Sequence, residues 1–120
     1  MKLDWTHGEL AEGLRCYGAR EFFDAHEHWE GVWLQLQEPE KTFLQALIQM
    51  AAAFHHLQRN NPRGATSLLR TSLRRLESCF DLSAGISVAP LCDEIRDWLK
   101  LLEAGEAPTN LPFPMIRLSS

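Results

Sequence analysis

The chain has 120 residues, 45% of them hydrophobic, with a formal net charge of −4 and a pI of about 5.7. That is enough apolar side chain for the core of one domain without disulfide or metal staples, and the acidic balance weighs against a generic nucleic-acid binder. Cys16, Cys79 and Cys92 form no C-x-x-C pair, which excludes a zinc ribbon and fits reduced thiols in a cytosolic protein.

No stretch alternates as a strand does, whereas a 3.6-residue apolar period recurs along the chain. A first helix is predicted from Thr6, with Glu9 completing a capping box, to Tyr17, where Gly18 stops it. Its inner face is Leu10, Leu14 and Tyr17. A second helix spans about Arg20–Gln37 and ends before Pro39. The third runs from about Pro39, a good first-turn residue, to Asn60. Asn61 as N-cap and Pro62 at the first helical position open a fourth, about Pro62–Phe80, which buries Ala65, Leu69, Leu73, Leu76 and Phe80. After the Ser/Gly-rich loop "DLSAGIS", a fifth helix over about Ala89–Ala104 turns Leu91, Ile95, Trp98, Leu99 and Leu102 inward. The tail, about 105–120, is predicted to be extended, because "PTNLPFPMIRL" holds three of the six prolines; Phe113 and Ile116 are expected to cover a groove. The opening "MKLDWTHGEL" has no apolar run, so no secretory signal is expected, and "FLQALIQMAAAF" is too short and too polar for a membrane span. The expectation is therefore an all-α, single-domain bundle of about five antiparallel helices covering 1–120, cytoplasmic, with an irregular tail. The second to fourth helices hint at tetratricopeptide-type pairing, but no internal period repeats.

The second helix raises the functional question. At about 100° per residue, Phe22, His26, Trp29, Glu30 and Trp33 share one side, Phe23, Glu27 and Leu34 flank it, and His28 falls opposite, toward solvent. Glu30 lies within reach of His26 at i+4. The third helix is apolar nearly all round, as a central helix should be. Its remaining strip carries Gln45, Gln49 and His56 beside Ala52 and Ala53. Buried amides and imidazoles need partners, and the polar groups of the second helix are the obvious ones. The two strips are expected to meet in a semi-buried pocket of His26, Glu27, Glu30, Gln49 and His56, walled by Trp33 and Phe23.

Three readings of that pocket stand side by side. It is a satisfied hydrogen-bond network that fixes helix packing. It is a divalent-metal site with His26, Glu30 and His56 as ligands and Glu27 near by. Or it is an acid/base pair of His26 with a carboxylate, for which the sequence supplies no activated nucleophile. "HEHWE" is neither H-E-x-x-H nor the Glu-x-x-His pair of di-iron bundles. His55 points away from His56, His7 is expected in solvent, and Trp29 and Trp33 read as core before they read as a ligand-stacking pair. Arg59, Arg63, Arg70, Arg74 and Arg75 form a basic face, either solvated or a dock for an acidic partner or a phosphate. No Gly-rich phosphate loop and no G-x-S-x-G elbow is present.

"EFFDAHEHWEGVW" followed by "ALIQMAAAFHHLQRNNPRGA" resembles the domain-of-unknown-function 309 (DUF309) family of small, all-helical bacterial and archaeal proteins. The resemblance rests on Phe23, Ala25, His26, Glu27, Glu30 and Trp33, then Leu47, Ile48, Gln49, Ala52 and His56, then Gly64 and Ala65. His28, Trp29 and Asn60–Asn61–Pro62 depart from the family pattern without touching the polar cluster. The resemblance implies the fold and the cluster, and no reaction. The functional expectation is a small-ligand or metal site at His26, Glu27, Glu30, Trp33, Gln49 and His56, with a divalent metal as the cofactor to test. The alternative is a helical protein-interaction module whose polar cluster is structural. Partners are thus a small ligand or a protein, not nucleic acid or membrane, and self-association is left open.

Overall fold

Helices form where the apolar period places them. The computed structural model describes residues 3–79, 85–106 and 110–119, in which α1 is Gly8–Gly18, α2 Phe22–Trp33, α3 Glu40–Gln58, α4 Pro62–Glu77 and α5 Val88–Glu103. Among the described residues there is no strand, only an isolated antiparallel bridge between Ile86 and Leu118. Phe80 and the first four residues of "DLSAGIS" lie outside the described residues, as does Pro108 of the tail. Each helix packs on the next, α1 on α2, α2 on α3, α3 on α4 and α4 on α5. Connections this short between helices in contact, at Ala19–Glu21 and Arg59–Asn61, leave an antiparallel hairpin as the available geometry. The radius of gyration, 13.4 Å, is that of a compact globule of this length.

The central helix is α3, as its all-round hydrophobicity requires. Phe43, Leu44, Ala46, Leu47, Met50, Ala51, Ala53 and Phe54 are fully buried. The α4 face opposite it has Ala65, Leu69 and Leu76 buried, with Leu73 partly so. Ser72 resolves the polarity of this contact by donating to the Ala46 carbonyl at 2.7 Å. The tail closes the open side. Phe113 stacks on Trp98 at 5.2 Å and meets the rings of Phe22 and Phe54 edge-on at 5.0 Å. Its backbone is tied down by Trp98 Nε1 donating to the Pro112 carbonyl, Tyr17 Oη donating to the Pro114 carbonyl, and Glu94 accepting from Met115 N. Phe113 and Ile116 therefore cover an apolar groove, as expected, and the tail links α1, α2, α3 and α5.

Three local expectations are corrected. The Thr6–Glu9 capping box does not form. Thr6 is held by Asp4, which accepts from both its N–H and its hydroxyl, and α1 starts at Gly8 with His7 as an N-cap whose side chain turns to Asp4 and Thr6 and makes no capping bond to the helix. Those bonds hold the Asp4 carboxyl down at about 2. α2 is shorter at both ends. Arg20 sits at φ +64°, in the left-handed region that ends a helix turn, so α2 begins at Phe22, and it stops at Trp33. Asn60, at φ +59°, likewise ends α3 before the predicted boundary. Asn61 and Pro62 open α4 as expected, with Asn61 Oδ1 accepting from Gly64 N at 3.1 Å.

Candidate functional site

The buried line of α2 is Phe22, Ala25 and Trp29, rotated from the apolar arc expected around His26. Trp29 is fully buried and sets this phase: its indole lies against the backbone of Gly13 in α1 and donates to the Leu10 carbonyl at 3.2 Å. His26 is consequently at the rim of the helix contact rather than at its centre, with 26% of its side chain exposed. Its Nε2 lies 3.1 Å from Glu30 Oε2, and its Nδ1 lies 3.6 Å from Glu27 Oε1. Both carboxylates are more than half exposed. His26 Nδ1 is itself shielded and has no hydrogen-bond partner among the described residues, and Trp33 Nε1, two turns on, is in the same position.

The structure brings together His26, Glu27 and Glu30 and separates the rest of the expected pocket. Gln49 turns toward α4, where its Oε1 accepts from Arg75 Nε at 3.1 Å. His56 pairs with Asn61 Nδ2 at 3.1 Å, inside the α3–α4 turn. The histidine of α3 that faces α2 is His55, whose ring lies 5.3 Å from Phe23, which in turn stacks on His26 at 6.2 Å. Partial burial lowers the His55 pKa, helped by Arg59, His56 and His26. The expected order is thus reversed: His55 joins the strip and His56 serves the turn. Phe23, expected as a wall, is 52% exposed, and Trp33 is capped by the Lys41 ammonium 4.6 Å above its ring.

His28 requires the clearest correction. It is half-buried, not solvated, and faces α1, where its Nδ1 lies 2.7 Å from Glu9 Oε2. One donor atom each from Glu12, Cys16 and His28 lies within 4.8 Å of the other two, the single such group of three metal-ligating side chains among the described residues. His26, Glu30 and His56 do not form such a group. The sequence carried one signal of the α1–α2 cluster: Glu9, Glu12 and Cys16 stand at helical i, i+3 and i+7. Their partner was hidden by assigning His28 to solvent.

Two open clefts lie away from both clusters. One, about 740 Å³, is lined by Leu57, Pro62, Arg63, Thr66, Arg70 and Glu103, among others. The other, about 300 Å³, lies where the tail crosses Tyr17 and Arg20. Of the basic face, Arg70 is paired with Glu103, Arg74 lies near Thr71, and Arg75 holds Gln49.

An all-α protein built on serially packed helices, with histidine–carboxylate pairs on both flanks of α2, is the class this geometry defines. Residues 10–68 match the family described as domain of unknown function (DUF309), and over that stretch the chain belongs to this family. No curated protein matches the chain. The matched segment runs from α1 through the first turns of α4 and contains both polar clusters, while α5 and the tail lie beyond it. The family description assigns no activity. Among the described residues no helix is long and apolar enough to cross a membrane.

Proposed function

We propose that this protein is a helical binding module whose working surface is the outer face of α2, with His26, Glu27 and Glu30 as its polar centre. The observation that carries this reading is a stripe. Phe23, Glu27, Glu30 and Leu34 fall within an arc of about 60° on the helix. The apolar members, Phe23 and Leu34, are 52% and 67% exposed. Large apolar side chains flanking acidic ones on one open helix face suit docking of a partner helix or segment with basic and apolar residues in register. Neither described cleft is lined by His26, Glu27 or Glu30, which favours a surface contact over an enclosed small molecule. The shielded nitrogens of His26 and Trp33 border this face and would gain partners from a docked chain. We place the module in the cytoplasm, in keeping with three free, buried cysteines.

A photo-crosslinking residue at Leu34, used in cells, tests the reading. A discrete adduct that disappears on Phe23→Asp, with the fold intact, is expected. The same adducts from a control crosslinker at the exposed Asp97 would refute it.

One distance favours a second reading, a divalent ion or small polar ligand at the same residues. His26 Nε2 and Glu30 Oε2, 3.1 Å apart at i and i+4, can chelate one ion with waters completing its shell. His56 and Gln49 would join only by leaving Asn61 and Arg75. This reading expects a rise in melting temperature with Ni²⁺ or Zn²⁺ that His26→Ala abolishes; an unchanged rise in that variant would count against it.

A further inference from the structure

We infer that Glu12, Cys16 and His28 form a binding site for a divalent transition-metal ion between α1 and α2, with Glu9 orienting the imidazole. Glu12 and Cys16 are one helical turn apart, which puts carboxylate and thiol on the same face of α1. α2 supplies His28 to that face, and the three donor atoms already lie within 4.8 Å of one another. The helices come this close because Gly13, between Glu12 and Cys16, leaves room for the Trp29 indole.

Glu9 gives the cluster a feature that a chance meeting of polar groups would lack. Its Oε2 lies 2.7 Å from His28 Nδ1. With Nδ1–H donating to that carboxylate, the free lone pair is on Nε2, the arrangement in which a carboxylate fixes the tautomer of a metal-bound histidine. A thiolate, an imidazole and a carboxylate suit Zn²⁺ or Co²⁺ rather than Mg²⁺ or Ca²⁺, and three protein ligands leave a fourth position for water.

Arg15 is the competitor. Its Nε donates to Glu12 Oε1 at 2.8 Å and its Nη2 lies 3.6 Å from Cys16 Sγ. The guanidinium holds the Glu12 carboxyl below its usual range, and an arriving ion must displace it. The groups facing the thiol are Glu12 and Arg15 from α1, Glu21 from the connection, and Asp24 and His28 from α2; burial raises the thiol, with Arg15 opposing. Binding forms an M–S bond, breaks the Cys16 S–H bond and releases one proton to solvent with no change of oxidation state. Affinity therefore rises with pH.

Titration of the full chain with Co²⁺ tests the site. The expected result is one ion per chain, a thiolate-to-cobalt charge-transfer band in the near ultraviolet, and displacement by Zn²⁺. Cys16→Ser removes the band, and Glu9→Gln weakens binding about 10- to 100-fold. Arg15→Gln strengthens it. The sulfur band separates this site from a chelate at His26 and Glu30, which has no sulfur donor. No stoichiometric binding at micromolar cobalt, a band that survives Cys16→Ser, or an affinity unmoved by Glu12→Gln would overturn the assignment. Circular dichroism checks each fold, and if the serine variant does not fold, Glu12→Gln and Arg15→Gln, at more exposed positions, carry the test.

Discussion

Gly13 and Gly31 occupy the interiors of neighbouring helices, yet replacing each with alanine should move stability in opposite directions. A Cβ at Gly13 would fall inside 3.0 Å of three indole atoms of Trp29, a ring that is fully buried and cannot swing aside. Relieving the clash means parting α1 from α2 or tilting the indole off the Leu10 carbonyl. Overpacking of this kind costs about 1–3 kcal/mol, and a lost hydrogen bond adds about 1 kcal/mol. Alanine's better helix propensity returns at most about 1 kcal/mol. Gly13→Ala should thus destabilise by about 1–3 kcal/mol. At roughly 4 °C per kcal/mol for a chain of this size, the melting temperature falls by about 4–12 °C. A Cβ at Gly31 meets nothing within 4 Å, so only the propensity gain applies, and Gly31→Ala should melt about 2–4 °C higher. Thermal denaturation of the pair, followed by circular dichroism, decides the matter. A Gly13→Ala protein at least as stable as the parent, with Gly31→Ala behaving as expected, would refute the close α1–α2 approach on which the Glu12–Cys16–His28 cluster depends.

Tyr17→Phe removes the donor to the Pro114 carbonyl, 2.7 Å away in the interior, and should cost about 1–3 kcal/mol. Because that bond pins the tail, trypsin should cut after Arg117 faster in the variant; equal cleavage rates there would show that the tail is held elsewhere. Burial also sets the alkaline limit. It raises the Cys92 thiol from 9.0 to about 11 and the Tyr17 phenol well above 10.0, so the unfolded chain loses these protons first. Stability from both groups is fully present below pH 9 and is lost as pH rises toward 11 and beyond, with Cys16 acting in the same sense. Urea midpoints should be level up to pH 9 and then decline, less steeply in Cys92→Ala; a decline of unchanged slope in that variant would exclude the thiol as a cause.

What the sequence made legible follows from which forces are local. Helix number, the central role of α3 and the Asn61–Pro62 start of α4 come from periodicity and capping, which neighbouring residues decide among themselves. The groove-covering tail was legible because apolar residues in a proline-rich segment have few other uses. The pocket was not, because its assembly depends on helix rotation. Trp29 is the largest fully buried side chain, and it turns α2 until its indole meets Gly13. A wheel drawn from the sequence weights His26 and Trp29 alike as members of one arc and cannot anticipate a glycine on another helix.

That rotation also explains why two histidines two positions apart have different partners. Turning α2 to seat Trp29 brings His28 toward α1 and Glu9 while moving His26 outward to the rim beside Glu27 and Glu30. The two flanks offer different chemistry. The α1 flank adds a thiol and closes around its imidazole, an arrangement suited to holding an ion. The outer flank has carboxylates and exposed Phe23 and Leu34 and no sulfur, an arrangement suited to recognising a surface. If both readings hold, α2 is the shared wall, and an ion clamping α1 to α2 would stiffen the helix whose other face docks. Phe23→Asp should then abolish docking without altering cobalt affinity, whereas Cys16→Ser should abolish the cobalt band and weaken docking only in metal-loaded protein. Docking that responds to neither cobalt nor Cys16→Ser would leave α2 as two independent surfaces joined only by the chain.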